Sequence, residues 1–282
     1  MIDISVIIVS WKVREKLRAN LLSLRTALRD LKAEILLVDN NSEDGTLEML
    51  AEEFPEITVI ANQYNFGFAR ANNQAMAVAQ GHFILLLNPD MRVFPDTIAK
   101  ALVWAENNSQ ATVSGCRLEN DEGNLLPHVR RFPRLSDQLA IILKLPHLLP
   151  SCLDTYLQTD FDYHQAAKVD SIRGAFFLIN REAWRHLSGA SAPFLDERYF
   201  IWFEEVDFCR QVYKNGGEVW YMPEAACVDY VGQSFSQVKL GLKQKYFHDS
   251  MLKYFQKWEP YYQSVILKIA WFFSRAILKL FS

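Results

Sequence analysis

Residues 35–42 read ILLVDNNS and residues 83–90 read FILLLNPD. Each is an unbroken apolar run that stops abruptly in polar residues, at Asp39 and Asn41 in the first and at Asn88 and Asp90 in the second. Runs of this length without polar alternation mark strands buried on both faces, as in parallel sheets. The surrounding sequence repeats the pattern. Ile4–Val9 (ISVIIV) is another such run. Leu17, Leu21, Leu24, Leu28 and Leu31 then recur at steps of four and three, which puts them on one face of a helix. A short helix over Gly45–Glu53, a strand over Ile57–Ile60 and an Ala-rich helix over Phe68–Ala79 complete a β-α-β-α-β-α-β series. That series predicts an α/β fold: a mostly parallel sheet with helices on both faces. In such sheets ligands bind beyond the carboxyl ends of the strands, where the strand order reverses.

After Pro95 the rhythm changes. Asp121–Asn124 (DEGN) reads as a turn between two strands, and residues 135–168, with Pro146 and Pro150, read as an aperiodic insertion. Gly174–Ile179 is an apolar strand. Glu204–Lys214 is a helix stopped by Gly216 and Gly217, and Glu218–Met222 is a further strand. Three segments follow, over residues 1–95, 96–236 and 237–282.

Composition narrows the class. At 282 residues, half of them apolar and 22% charged, the chain is neither disordered nor a small disulfide scaffold. Its net charge of −3 gives no global field for nucleic acid, so no nucleic-acid partner is expected. Four cysteines without a CxxC pair read as free thiols of a reducing compartment. The apolar opening run is too short, and lacks the basic residues, for a cleaved leader, which places the chain in the cytoplasm.

The polar strand ends carry the chemistry. Carboxylates there either cap the next helix or serve a nucleotide-sugar. In the second case Asp39 accepts hydrogen bonds from a base or ribose. Asp90 then holds a divalent cation on the diphosphate, since Mg²⁺ and Mn²⁺ need only one or two carboxylates besides phosphate oxygens. The segment Asn65–Asn73 (NFGFARANN) adds Gly67 for close backbone approach, Asn65 and Asn73 as amide handles, and Arg70 to face phosphate. Glu204, Glu205 and Asp207 follow a dense aromatic run, Tyr199–Phe203. At a helix start they satisfy the helix dipole. In a dry pocket they approach the range of a general base.

Together DNNSEDGT, NFGFARANN, LLNPD, GAFFLINREAW, FLDERYFIWFEEVDFCR and MPEAACVDYVGQSF occur in the order found in family 2 glycosyltransferases. Over residues 4–236 the chain resembles the rhamnosyltransferase-like branch that builds bacterial surface polysaccharides. The resemblance implies a GT-A fold, a nucleotide-diphospho-sugar donor, a divalent metal (Mg²⁺ or Mn²⁺) and an inverting mechanism. It implies nucleotide-sugar contacts at Asp39, Asn41, Asn65, Gly67, Arg70, Asn73 and Asn88, metal positions at Asp90 and Asp229, and Glu205 as the catalytic base. Gly174, Trp202 and Glu204 fall on the acceptor side, where the acceptor is a glycan or lipid-linked glycan. Two positions depart from the family pattern. Glu204-Glu205 stands where Glu-Asp is usual, and Asp229 stands where His is usual between Pro223 and Gly232. These departures leave open a second reading, a catalytically weak nucleotide-sugar-binding or scaffold member of the fold. A nucleotidyltransferase is disfavoured because the first strand runs into Ser10-Trp11-Lys12 with no glycine-rich loop.

The tail differs in character from the body. Residues 239–282 hold eight Lys/Arg against two Asp/Glu, together with eleven aromatic residues. Within VILKIAWFFSRAILKLF (265–281), Lys268, Arg275 and Lys279 are the only charges, and at 100° per residue they share one narrow arc. That pattern predicts a helix lying in the cytoplasmic face of the inner membrane, a peripheral anchor and not a span. The alternative is a final helix packed on the domain.

Overall fold

In the computed structural model, residues 2–230, 232 and 237–280 are described, those from 275 onward by backbone only. The elements run β1 (Ile4–Ser10), α1 (Arg14–Ala27), β2 (Ala33–Asp39), α2 (Thr46–Glu53), β3 (Thr58–Ala61), α3 (Phe68–Met76), β4 (Phe83–Leu87), β5 (Met91–Val93), α4 (Thr97–Asn107) and β6 (Ala111–Glu119). Then come α5 (Leu135–Ile142), two 3₁₀ turns, α6 (Asp154–Leu157), β7 (Ala167–Lys168), β8 (Phe176–Asn180), α7 (Arg181–Ser188), α8 (Glu204–Lys214) and β9 (Glu218–Asp229). The helices α9 (Leu240–Trp258) and α10 (Tyr261–Leu280) follow.

Nine strands form a single sheet in the order β3-β2-β1-β4-β8-β6-β9-β5, with β7 also paired to β9. Strands β1 to β4 are mutually parallel, and β8 and β5 run against their neighbours. The fold is therefore α/β with a mostly parallel sheet. The strands before and after residue 95 share that sheet.

The β1 run is continuously apolar because both of its faces are covered. Ile4, Val6 and Ile8 pack with Leu17, Leu21 and Leu24 of α1. Ile7 and Val9 face the other side, with Ala69, Ala71 and Ala75 of α3 and Phe208 of α8. This alternation is the period of two of a strand. From central β1 the chain goes to β2 on one side and, later, to β4 on the other. The carboxyl ends of β1 and β4 therefore frame the crevice where strand order reverses.

Three local expectations are corrected. Residues 120–124 do form a tight turn, with the Asn120 side-chain oxygen accepting from the Glu122 and Asn124 amides. Only β6 precedes it as a strand, however. The return pairing is one bridge, Glu119 to Leu125, which stops before Pro127, where no N–H is available to extend it. The 135–168 insertion is mostly short helices. Helix α5 lacked a visible stripe because it is apolar on most sides. It is wedged against distant partners, and Ile142 packs in one cluster with Met251, Phe255 and Leu267. The strand expected at Glu218–Met222 runs on to Asp229 through a register shift opposite Cys116 and Arg117, at Pro223. The cysteines form no disulfide, with Cys116, Cys209 and Cys227 buried and Cys152 exposed, and the Cys116 and Cys227 sulfurs share a hydrogen bond at 3.3 Å.

Candidate active site

A cavity of about 340 Å³ opens at the carboxyl ends of β1 and β4. Val9 and Trp11 come to its wall from the end of β1, and Asn88, Pro89 and Asp90 from the end of β4. Asn65 and Gly67 enter ahead of α3, Arg173 and Gly174 ahead of β8, Phe200, Ile201, Trp202, Glu204 and Glu205 around the start of α8, and Asp229 at the end of β9. Nine residues singled out from the sequence thus share one wall: Asn65, Gly67, Asn88, Asp90, Gly174, Trp202, Glu204, Glu205 and Asp229.

The register of the last strand brings two of these together. Asp229 is out of sight of Asp90 in the sequence, but Met91 lies opposite Asp229 across the antiparallel β5–β9 pair. The Tyr230 amide donates to the Asp90 carbonyl at 3.3 Å. Both carboxylates are buried, at 3% and 4% exposure. An Asp229 oxygen accepts from the Arg173 guanidinium at 2.8 Å. Among the described residues no cluster of three His, Cys, Asp or Glu is available to a metal. Two buried hard-oxygen donors in a pocket with room for phosphate do suit Mg²⁺ or Mn²⁺, which complete their shells from a bound diphosphate.

The opposite wall is built by an unusual backbone. Trp202 and Phe203 both take positive φ, 64° and 71°. That costs about 1–3 kcal/mol per non-glycine residue, and such strain concentrates at functional sites. The double kink turns the aromatic run into α8 and delivers Glu204 and Glu205 to the cavity. Each has one carboxylate oxygen buried without a hydrogen-bond partner. Burial pushes the Glu204 carboxyl well above the usual range, and the neighbouring Glu205 charge adds to it. Burial likewise raises Glu205, against backbone hydrogen bonds and the attraction of Arg173, both of which lower it. Gly174 faces Glu205 directly: a Cβ there would sit 3.5 Å from Glu205 Cβ. Gly67 is held at φ 85°, and a Cβ there would lie 2.4 Å from the Phe200 carbonyl. That carbonyl instead accepts from the Phe68 amide at 2.7 Å, pinning the aromatic run to the start of α3.

Four residues singled out from the sequence stand outside the cavity wall. Asp39 is buried at the end of β2, in register with Ser10. One of its oxygens accepts from the Ser42 amide, and the other has no partner. Asn41 takes positive φ at the following turn. It is Asn40 that reaches the wall, where its side chain donates to the Gly67 carbonyl. Arg70 is exposed and stacks over the Phe66 ring, 4.3 Å from its centroid. Asn73 clamps the 195–197 loop, donating to the Leu195 carbonyl and the Glu197 carboxylate and accepting from the Leu195 amide. Asp207 is also structural in its contacts. Fully buried, it accepts from Gln211, Lys257 and Trp258 and so ties α8 to α9.

Sequence reasoning missed Arg173, Asn40 and Trp11. Arg173 had one available signal, a lone cation just ahead of an apolar strand that starts at the site. Its ion pair with Asp229 joins positions 56 residues apart and exists only through the sheet.

The sequence model of the family described as Glycosyl transferase family 2 matches residues 5–184. The chain is 25% identical over 211 residues to an N-acetylglucosaminyl-diphospho-decaprenol L-rhamnosyltransferase of Mycobacterium tuberculosis, covering 71% of this chain and 67% of that protein. It is 37% identical over 238 residues to an uncharacterized glycosyltransferase, YfnE, of Bacillus subtilis, covering 75% of this chain and 60% of that protein. In three dimensions it is similar to the mannosyltransferase PcManGT of Pyrobaculum calidifontis, solved with GDP-Man and Mn²⁺. The TM-score is 0.59 at 17% identity, over 98% of this chain and 74% of that one. At that identity the likeness is one of fold.

Proposed function

This chain belongs to glycosyl transferase family 2, and on that premise we propose that it moves a sugar from a nucleotide-diphospho-sugar to a glycan or lipid-linked glycan in cell-surface polysaccharide synthesis. The observation that carries the proposal is the pairing inside one cavity. Glu205, a half-buried glutamate with one buried and unsatisfied oxygen, shares the cavity with two buried carboxylates, Asp90 and Asp229, and with Arg173. Rhamnose is the donor sugar we propose. The rhamnosyltransferase relative supports that choice, and its decaprenol-linked substrate supports a lipid-linked acceptor.

The reaction is a direct displacement with inversion. Glu205 takes the proton from the acceptor hydroxyl as that oxygen attacks the anomeric carbon. The bond from that carbon to the diphosphate oxygen breaks on the opposite face, and the electron pair leaves with the nucleoside diphosphate. A raised carboxyl pKa strengthens Glu205 as a base for this step. Glu204 shares the pocket, and its own carboxyl is pushed up by burial and by the Glu205 charge. Asp90 and Asp229 would hold the divalent cation, with Asn88 beside them. A bound cation supplies charge neutralisation on the leaving diphosphate. Arg173 adds a fixed positive charge to the same side, held in place by Asp229. Asp39, with one buried acceptor oxygen unpartnered, is proposed as the nucleoside contact. Asn65, Gly67 and Asn40 line the donor side.

The enzyme is proposed to work at the cytoplasmic face of the membrane. Ile266, Ile269, Phe272 and Phe273 of α10 are 37–69% exposed, and Lys268 is exposed beside them. An amphipathic surface of this kind suits a lipid interface. The deciding experiment screens purified protein against nucleotide-sugars with a polyprenyl-diphosphate-linked GlcNAc acceptor, with and without Mn²⁺ or Mg²⁺. Metal-stimulated release of nucleoside diphosphate together with glycosylated lipid is the expected result. Donor binding without transfer from any donor would overturn it in favour of a binding member of the fold.

A further inference from the structure

A second cavity, of about 280 Å³, adjoins the candidate active site. Trp202 belongs to the walls of both cavities, so the two are neighbours across one indole ring. The far wall of the second cavity is apolar and aromatic: Ile141 and Ile142 from α5, Phe247 from α9 and Trp271 from α10. Into the same cavity come two lysines, Lys144 just past α5 and Lys243 in the opening turn of α9. Lys144 is exposed and Lys243 half-buried, and neither has an ion-pair partner among the described residues. A cation in the first turn of a helix is also disfavoured by the helix dipole, and α9 has no acid in that turn to offset it.

Resting on the glycosyltransferase reading above, we infer that this second cavity docks the lipid-diphosphate end of the acceptor. Its sugar hydroxyl then lies past Trp202, toward Glu205. The chemistry fits in three respects. Two unpaired ammonium groups match a diphosphate, which Lys binds as a point charge. The Ile, Phe and Trp surface matches the first isoprene units of the chain. The exposed apolar residues Ile269, Phe272 and Phe273 lie on the same helix as Trp271 and offer further apolar surface to the remainder of the lipid. A free glycan would need neither the paired lysines nor the apolar wall.

The test uses the full chain and farnesyl diphosphate as probe, followed by calorimetry and by the tryptophan fluorescence of Trp202 and Trp271. The wild type is expected to bind the probe at least about tenfold more tightly than inorganic diphosphate. The double variant Lys144→Ala/Lys243→Ala is expected to lose at least about tenfold of that affinity, because it removes two charge-assisted contacts. Both lysines lie at the surface, so the variant should fold, and its melting profile checks this. Binding of nucleoside diphosphate should be unchanged in it. That arm separates failure of this inference from failure of the donor-site reading. Unaltered probe affinity in the folded double variant would overturn the proposal, as would simple competition between the probe and nucleoside diphosphate. Equal affinity for inorganic diphosphate would also overturn it, because the chain would then contribute nothing. Phosphatidylglycerol vesicles that bind the wild type but lose their hold in the same double variant would overturn it too, since the lysines would then be reading a bilayer surface.

Discussion

Glu205 differs from an ordinary helix-start glutamate in what surrounds its carboxyl group. It sits against Gly174, beside buried Glu204, with one oxygen unsatisfied. Glu205→Gln keeps the shape and removes the basicity. It is expected to lower kcat by at least about a hundredfold while nucleoside diphosphate still binds. Single-turnover transfer and calorimetry on the same preparation check both halves of that statement. The pH profile carries the sign. Glu205 is raised in the folded protein, so it is a base only above its elevated pKa, and the rate should fall as pH drops through that value. If Glu204→Gln proves the more damaging change, the base is Glu204. His128 gives a dependence of the same sign, in stability. It is fully buried, with Nε2 2.9 Å from the Cys116 carbonyl, and burial pushes it down to about 3. The unfolded chain binds that proton near pH 6.5 and the folded chain does not. Stability from this site is therefore full above about pH 6.5 and is lost as pH falls toward 3, with a slope approaching about 1.4 kcal/mol per pH unit. Denaturant midpoints between pH 7 and pH 4 should show the slope, and His128→Asn or His128→Gln should flatten it.

At the scale of elements, the tail shows how one helix answers to two environments. Ser264, Leu267, Ala270, Trp271 and Ser274 of α10 turn inward. Leu267 is fully buried, Trp271 stacks on His248 at 4.4 Å, and Ser274 donates to the Ile142 carbonyl. Tyr262, Ile266, Ile269, Phe272 and Phe273 stay exposed. Of the three cations read as a headgroup stripe, Lys268 is exposed, and the side chains of Arg275 and Lys279 lie outside the described residues. No helix among the described residues is long and apolar enough to cross a membrane. The two expectations for the tail therefore make separate predictions. Leu267→Ala leaves a cavity in a closed cluster and should cost about 2–5 kcal/mol, read by urea denaturation. Replacing Ile269, Phe272 and Phe273 with Ser should leave stability within about 1 kcal/mol. It should abolish flotation with anionic liposomes, and undiminished flotation would remove the anchor from the proposal. Removing everything after Gln263 tests neither expectation cleanly, because it strips the inner face as well. The inner face was illegible in the sequence. Its partners, Ile142 and Met251, belong to other helices, and apart from the narrow cation stripe the helix is apolar, so nothing in the sequence separates its packed side from its exposed side. Strands β1 and β4 were legible because both of their faces are buried, which a continuous apolar run reports directly. The left-handed pair Trp202–Phe203 was not, since aromatic residues carry no sequence mark of positive φ.

Across the whole molecule, one sheet assembles the site from segments that a linear reading keeps apart. The donor-side residues follow β1, β3 and β4, where the alternating pattern pointed. Arg173 and Asp229 arrive through antiparallel β8 and the long, irregular β9, and their meeting depends on a register shift at Pro223 that no periodicity announces. Asp90 is therefore the point where the two halves of the chain meet, in contact with the backbone that leads out of Asp229. It follows a buried strand and lies in the loop beyond it, so its side chain should matter to ligand more than to packing. Asp90→Ala is expected to remain folded, with a melting temperature close to wild type, and to lose transfer. The loss should register first in binding. Mn²⁺ should tighten nucleoside diphosphate binding to the wild type and have little effect on the variant, because a cation bridging protein and diphosphate needs its protein ligand. Asp229→His restores the usual family residue and releases Arg173 from its ion pair. If Asp229 contributes to the cation, this variant should shift the preference between Mg²⁺ and Mn²⁺, since imidazole is a softer donor than carboxylate. Titrating both metals against nucleoside diphosphate affinity in the three proteins decides the matter without relying on turnover. An Asp90→Ala protein that still responds fully to Mn²⁺ would move the cation away from the β4 end, and an Asp229→His protein with wild-type metal preference would leave Arg173 as the only role for Asp229.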